Sequence, residues 1–248
     1  MKKITLFIAA AVALSAQSVV SFAQTGDEII TKHIEAIGGE KAWSKVKSMK
    51  MTGATSVQGM DVGMEIMIQD QKAMRTNVSL MGMEGYIIIT DKGGWMYMPF
   101  QPGMDKVTPY PEEQLKAVKG NLSIRNGFLA DKSVVKSSKF SGRDTLDGVP
   151  CLKVDINGTD ENERTVYFDE KNYYMVRVES TVKKGDEEAE VAVSYSNFQK
   201  QDGGIVVPMT QTNPMLGGDI VFKKVEVNPV FPESTFVATE PAKEETKK

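Results

Sequence analysis

The stretch IIITDKGGWMYMPF, residues 87–100, reads as two short strands joined by the turn Asp91-Lys92-Gly93-Gly94. Side chains alternate across a strand, so Trp95 and Tyr97 point one way while Met96 and Met98 point the other. Both sets are apolar. A sheet built from such strands has to be covered on both faces, by helices, by further chain or by a ligand.

The same period extends outward. In MDVGMEIMIQD, residues 60–70, Val62, Met64, Ile66 and Ile68 alternate with Gly63, Glu65, Met67 and Gln69, and AMRTNVSLMGM and EGYIIIT continue the alternation toward residue 90. This predicts a meander of antiparallel strands. Before it, TGDEIITKHIEAIGG offers Thr25 as an N-cap, Asp27 and Glu28 in a first turn, and Gly38-Gly39 as a stop; Ile30, Ile34 and Ile37 form one apolar stripe. EKAWSKVKSMK reads as a second short helix with Trp43 and Val46 inward. After the meander, Pro111-Glu112-Glu113 starts a helix with Leu115, Val118 and Leu122 on one side, broken by Gly120 and by Asn126-Gly127.

Strands return in VPCLKVDI, RTVYFD, YYMVRVEST, EVAVSYSNFQK, GIVVPMTQ and DIVFKKVEV, where Pro208 marks an edge or a bulge. No linker and no internal repeat interrupts them. The expected fold is α+β: one large, curved antiparallel sheet with helices at its N-terminus and midway.

The termini read differently. Met1-Lys2-Lys3, an apolar run from Ile4 to Leu14 and Ser21-Phe22-Ala23 make a secretory signal peptide cut after Ala23. The run is shorter than the roughly 18 apolar residues of a spanning helix. The expectation is an exported, soluble chain with a single domain over residues 24–239 and a charged tail, EPAKEETKK, over residues 240–248.

Several chemistries have little to stand on. The net charge of −3, with both signs interspersed, leaves no nucleic-acid footprint. His33 is the one imidazole and lies on an amphipathic helix, and Cys151 is alone in a strand-like run as a half-buried thiol, so neither a triad nor a zinc site can be assembled. No phosphate loop, dinucleotide fingerprint or nucleophile elbow appears.

Eleven of the fifteen methionines fall between Met49 and Met104. Ordinary core packing is one use for them. A second is soft-metal binding, because thioethers select Cu(I), with Met81 beside Met83 and Met96 beside Met98 on shared strand faces. A third is an adaptable apolar cavity, since methionine repacks readily around varied chains.

The order of elements, with IIITDKGGWMYMPFQPGMDKVTPYP (residues 87–111), YFDEKNYYMVRVES, SYSNFQKQDGGIVVPMT and VEVNPVFPESTF, resembles the LolA-like periplasmic lipoprotein-carrier superfamily, often called outer-membrane lipoprotein-sorting proteins. The resemblance covers nearly the whole mature chain through diffuse motifs. It implies an incomplete antiparallel barrel closed by helices, whose cavity carries lipid or lipoprotein acyl chains through the periplasm, without a cofactor and without bond making. The implied wall is Met64, Ile66, Met81, Met83, Ile88, Trp95, Met96, Tyr97, Met98 and Phe100, and the implied lid is Ile30, Ile34, Ile37, Leu115, Val118 and Leu122. Implied partners are an inner-membrane release complex and an outer-membrane acceptor, met by a monomer. The carriers have an Arg-Pro element in an early strand that controls the lid; here the comparable region is QDQKAMRTNVS, where Lys72 and Arg75 stand nearest and neither precedes a proline. A non-transporting envelope sensor or assembly protein on the same scaffold is the alternative, and a methionine-rich copper protein the third reading.

Overall fold

The computed structural model describes residues 24–119, 122–159, 162–184, 187–214 and 218–239. The signal peptide and the charged tail expected from the sequence lie outside the described residues.

Thirteen strands form one open antiparallel sheet. They are β1 (Ser48–Val57), β2 (Met60–Gln69), β3 (Ala73–Leu80), β4 (Met83–Thr90), β5 (Gly94–Tyr97), β6 (Thr108–Pro109), β7 (Val135–Leu146), β8 (Val149–Gly158), β9 (Glu163–Asp169), β10 (Met175–Lys184), β11 (Glu187–Lys200), β12 (Val206–Asn213) and β13 (Gly218–Val227). The order in space is β6-β5-β4-β3-β2-β1-β13-β12-β11-β10-β9-β8-β7. Each half is therefore a hairpin meander, and the pairing of β1 with β13 joins the halves. At that seam the register shifts between Thr52 and Gly53, and a Cβ on Gly53 would stand 2.4 Å from the Val221 carbonyl oxygen. Only glycine lets the two backbones approach this closely.

The two edges, β6 and β7, are consecutive in sequence. The chain between them must cross the whole sheet, and it carries α3 (Glu112–Lys119) and α4 (Ile124–Gly127) on the way. Two further helices precede the sheet, α1 (Gly26–Ala36) and α2 (Glu40–Trp43). Thr25 and Glu28 form a reciprocal capping box at the start of α1, which satisfies two of its orphan amides.

Strand register separates two faces. Met49, Met51, Met64 and Ile66 share the helix-covered face and pack with Trp43, Ile124, Val207, Met209 and Phe222 in one core cluster. Ile29, Ile30 and Ile34 of α1 pack with Leu152, Val154, Val166 and Phe168 in a second cluster on the same face of β8 and β9. Trp43 is fully buried, and its indole N–H donates to the Ile37 carbonyl at 2.9 Å.

On the opposite, outer face, register aligns Met67, Arg75, Ile88 and Trp95 across β2 to β5. The C-terminal residues 229–239 cross this face as a strap. Arg75 Nη1 donates to the Thr235 carbonyl at 2.9 Å, and the Tyr86 hydroxyl donates to the Thr239 carbonyl at 2.8 Å.

Pro208 lies in an interior strand, yet the β12–β13 ladder covers only Thr210 to Asn213, so that side of the strand is unpaired at the proline. This suits a residue with no N–H to donate. Along the β7 edge the register shifts twice, between Val135 and Ser137 and between Phe140 and Gly142.

Candidate ligand-binding site

The crossing segment after α3 is fastened to the β2–β3 turn, where the Gln71 amide donates to the Leu122 carbonyl at 2.8 Å, and is braced by polar links of its own. Ser123 caps α4 by accepting from the Asn126 amide, and the Asp70 carboxylate at the β2–β3 turn accepts from the Ile124 amide at 2.9 Å. Arg125 and Asp131 pair at 2.7 Å, and the Ala130 amide donates to the Arg125 carbonyl at 2.8 Å. Leu129 turns the chain with φ 50°, a left-handed conformation uncommon for leucine. Ile124, Leu129 and Ala130 thereby face the core, while Asn126 and Gly127 stay at its rim.

Beneath this segment, on the helix-covered face, lies a well of about 200 Å³. Leu129, Val134, Ile156, Val178 and Tyr195 supply its apolar lining; Asn126, Thr159 and Arg164 supply polar edges. Burial pushes the Tyr195 phenol above its ordinary pKa, which keeps it neutral. The well is smaller than the roughly 300–1,000 Å³ of ordinary small-molecule pockets. A long apolar ligand would need more room than this well holds.

Larger hollows exist on the outer face. One of about 780 Å³ between β7 and β11 is lined by Lys139, Asp155, Thr165, Arg177, Glu179 and Glu190 among others. Its groups bond to one another: Arg177 pairs with Glu179 at 2.9 Å, and Thr165 donates to Asp155 at 3.0 Å. Stripping water from such a surface with an apolar chain would leave polar groups without compensation, so size does not decide the matter. The smaller well, where Leu129, Val134, Ile156, Val178 and Tyr195 group beneath the crossing segment, is the better candidate.

The ten wall residues expected from the sequence do not gather on one face, and none lines this well. Met64 and Ile66 pack against the first core cluster. Met96 is half-buried on the same face, and Met98, just past the end of β5, is buried and contacts the Gly85 position. Ile88, Trp95 and Tyr97 lie on the outer face, where Ile88 is fully buried. Phe100 is half-buried after β5. Met81 is not in a strand: β3 ends at Leu80, and Met81 occupies the hairpin turn with φ 52° and 79% exposure. Met83 begins β4 and is exposed.

Of the lid residues, Ile30 and Ile34 enter the second cluster and Ile37 the first. Leu122 is buried, Leu115 and Val118 half-buried. Arg75 is aimed away from the helices. Its Nε donates to Asn77 at 2.7 Å, and its guanidinium lies 4.6 Å from the Tyr86 ring centre, beneath the C-terminal strap. Lys72 is exposed on that strap's flank.

Cys151 is buried, and burial pushes its thiol above the ordinary value, away from the reactive thiolate. Among the described residues no cluster of three histidine, cysteine or carboxylate side chains could hold a metal ion, and no helix is long and apolar enough to cross a membrane.

The architecture has counterparts among solved structures. A LolA superfamily protein from Nitrosomonas europaea superposes with a TM-score of 0.52 at 11% identity, over 86% of this chain and 98% of that one. A DUF1329 family protein from Desulfovibrio piger superposes with a TM-score of 0.53 at 10% identity, over 86% of this chain and 97% of that one. No family model matches the sequence, and no curated protein matches it. The fold is LolA-like: a single open antiparallel sheet of thirteen strands with few helices.

Proposed function

We propose that this protein is an exported carrier that takes up an acyl chain of a lipid or lipoprotein between the sheet and the segment crossing it. The observation that carries the reading is the well under Asn126, Gly127 and Leu129, with an apolar wall of Val134, Ile156, Val178 and Tyr195, set on the helix-covered face of a LolA-like sheet. Each buried methylene is worth about 0.8 kcal/mol, so ten acyl carbons left in water would cost on the order of 8 kcal/mol. A carrier must cover them and then release them. A lid held by a few polar links can do both, because hand-over needs only a modest difference in affinity between its closed and open states. On this reading no bond is made or broken, the N-terminal 23 residues direct export to the periplasm, and a release complex and an acceptor at the two membranes are the partners.

The test is native mass spectrometry of protein isolated from the periplasm, together with titration of a fluorescent acyl probe. Co-purifying lipid and saturable binding are expected. Bare protein and no binding would sink the carrier reading.

One observation favours a second reading. The helix-covered face on both sides of the β1–β13 seam is filled by its own side chains, with Met49, Met51, Val207 and Met209 at 7% exposure or less. A sensor or assembly protein on the same scaffold would not need more room than that. A partner protein recovered in stoichiometric amount, with no lipid bound, would select it.

A further inference from the structure

The crossing segment is tied to α1 by the exposed Lys132–Asp27 pair at 3.1 Å and, in the interior, by one imidazole. His33 is 1% exposed; its Nδ1 lies 2.9 Å from the Tyr173 carbonyl oxygen and its Nε2 lies 3.1 Å from the Phe128 carbonyl oxygen. Phe128 sits between Gly127 and Leu129, two residues that line the well, so this contact pins the segment over it. Both partners are carbonyls, which only accept. A neutral imidazole has one N–H, so it donates to one of them and turns a lone pair toward the other; only the imidazolium donates to both.

The imidazolium has no charged partner there. Ile37, Phe128, Met175, Phe198, Val206 and Pro208 surround the ring and leave a void of about 10 Å³, no more than the space one water needs. The Phe168 ring centre is 5.1 Å away. Ionisable groups on the packed elements are directed elsewhere. On α1, Lys32 binds the Tyr173 hydroxyl at 3.2 Å and Glu35 is exposed. At the end of β9, Asp169 accepts from Lys171 and Asn172, and on the β9–β10 connection Glu170 accepts from Arg143. On the crossing segment, Arg125 pairs with Asp131. Phe198, Val206 and Pro208 of β11 and β12 carry no charge.

A buried charge without a counter-ion costs more than one added hydrogen bond to a carbonyl returns. We propose that His33 is a proton-operated latch on the well: neutral, it holds the crossing segment shut; protonated, it leaves its apolar seat for water and the segment lifts. Burial, which outweighs the two carbonyl contacts and pushes the His33 pKa below its ordinary value, acts in the same direction. For its purpose, ligand release on acidification, the latch rests on the carrier reading. As a motion it can be measured without any ligand.

Because the chain has a single histidine, the ring nitrogens can be followed by ¹⁵N NMR without assignment. The experiment is a titration of ligand-free protein from pH 8 to pH 4.5, with hydrogen exchange of the Leu129 and Ala130 amides corrected for intrinsic rate. Their protection should fall together with ring protonation, by about tenfold for each unit separating the His33 pKa in the closed and open states. In His33→Gln, which keeps one donor and one acceptor, protection should be flat over the same range. Ring protonation that leaves wild-type protection unchanged overturns the latch, and that arm does not depend on the variant folding. Equal acid loss of protection in His33→Gln overturns it too. An acyl probe that fails to bind at any pH, beside protection that follows the ring, removes the carrier reading and leaves the latch standing.

Discussion

Arg75 and Thr235 stand 160 residues apart in the chain, and the Arg75 guanidinium donates to the Thr235 carbonyl across 2.9 Å. The link clamps the strap to the outer face of β3, with the Tyr86 ring beneath the guanidinium and the Tyr86 hydroxyl holding Thr239. Arg75→Ala removes a charge-assisted hydrogen bond and a cation–π contact, and we expect a loss of about 1–2 kcal/mol in urea denaturation. Residues 229–239 should also become the first site of limited proteolysis. Wild-type resistance in the variant would mean that the strap is held by something else.

Val178 faces the well from β10, packed beside Tyr195. A tryptophan there would take up much of the well, about 200 Å³, from a position already at the edge of the core. Val178→Trp should weaken an acyl probe by about tenfold or more while costing roughly 1–3 kcal/mol of stability, the usual penalty for overpacking. Fluorescence titration beside a circular-dichroism melt reads both quantities. Unchanged affinity in a folded variant would move the ligand away from this well.

At the seam between the two meanders, Gly53→Ala drives a methyl group into backbone, with the Val221 carbonyl oxygen 2.4 Å and the Phe222 Cα 2.9 Å from the new carbon. Backbone cannot swing aside as a flexible side chain can. We expect destabilisation of at least about 2 kcal/mol, well above an ordinary surface change. A denaturation midpoint equal to the wild type would show that β1 and β13 can part without cost.

His33 also links stability to pH. Its folded-state pKa lies below the ordinary 6.5, with desolvation as the largest cause. The unfolded chain therefore binds more protons across the interval between the two values. The contribution of His33 to stability is full above pH 6.5 and is lost as the pH falls toward the folded-state pKa. Denaturation at pH 7.5 and pH 5.5 should show a drop in the wild type that is smaller in His33→Gln. A drop of equal size in both would assign the acid sensitivity to the carboxylates.

Alternation in the sequence was enough to find most strands, because their two faces differ or are both apolar in runs such as MEIMIQ and IIIT. It did not reveal β7. VKSSKFSGRDTL carries only Val135, Phe140 and Leu146 as large apolar residues, and its two register shifts break any period of two. Met81 looks like strand in the sequence because a methionine at a hairpin tip resembles its neighbours; Gly82, with φ 81°, is the turn signal beside it. The parity of Trp95, Met96 and Tyr97 was legible, whereas what covers each face was not. That depends on a strap from the far end of the chain. The well was still less visible, since Ile156, Val178 and Tyr195 meet only through the β8 to β11 pairings, Leu129 joins them from the crossing segment, and Arg164 carries no local signal.

The irregular run of β7 has its own consequence. A sheet that stays open keeps a border strand of twelve residues whose amides and carbonyls could template the strand of another molecule. The kinks at Val135–Ser137 and Phe140–Gly142 spoil a continuous ladder, and the exposed Lys136, Lys139 and Arg143 place like charges where two such borders would meet. A sheet left unclosed in this way can thus stay open without aggregating edge to edge.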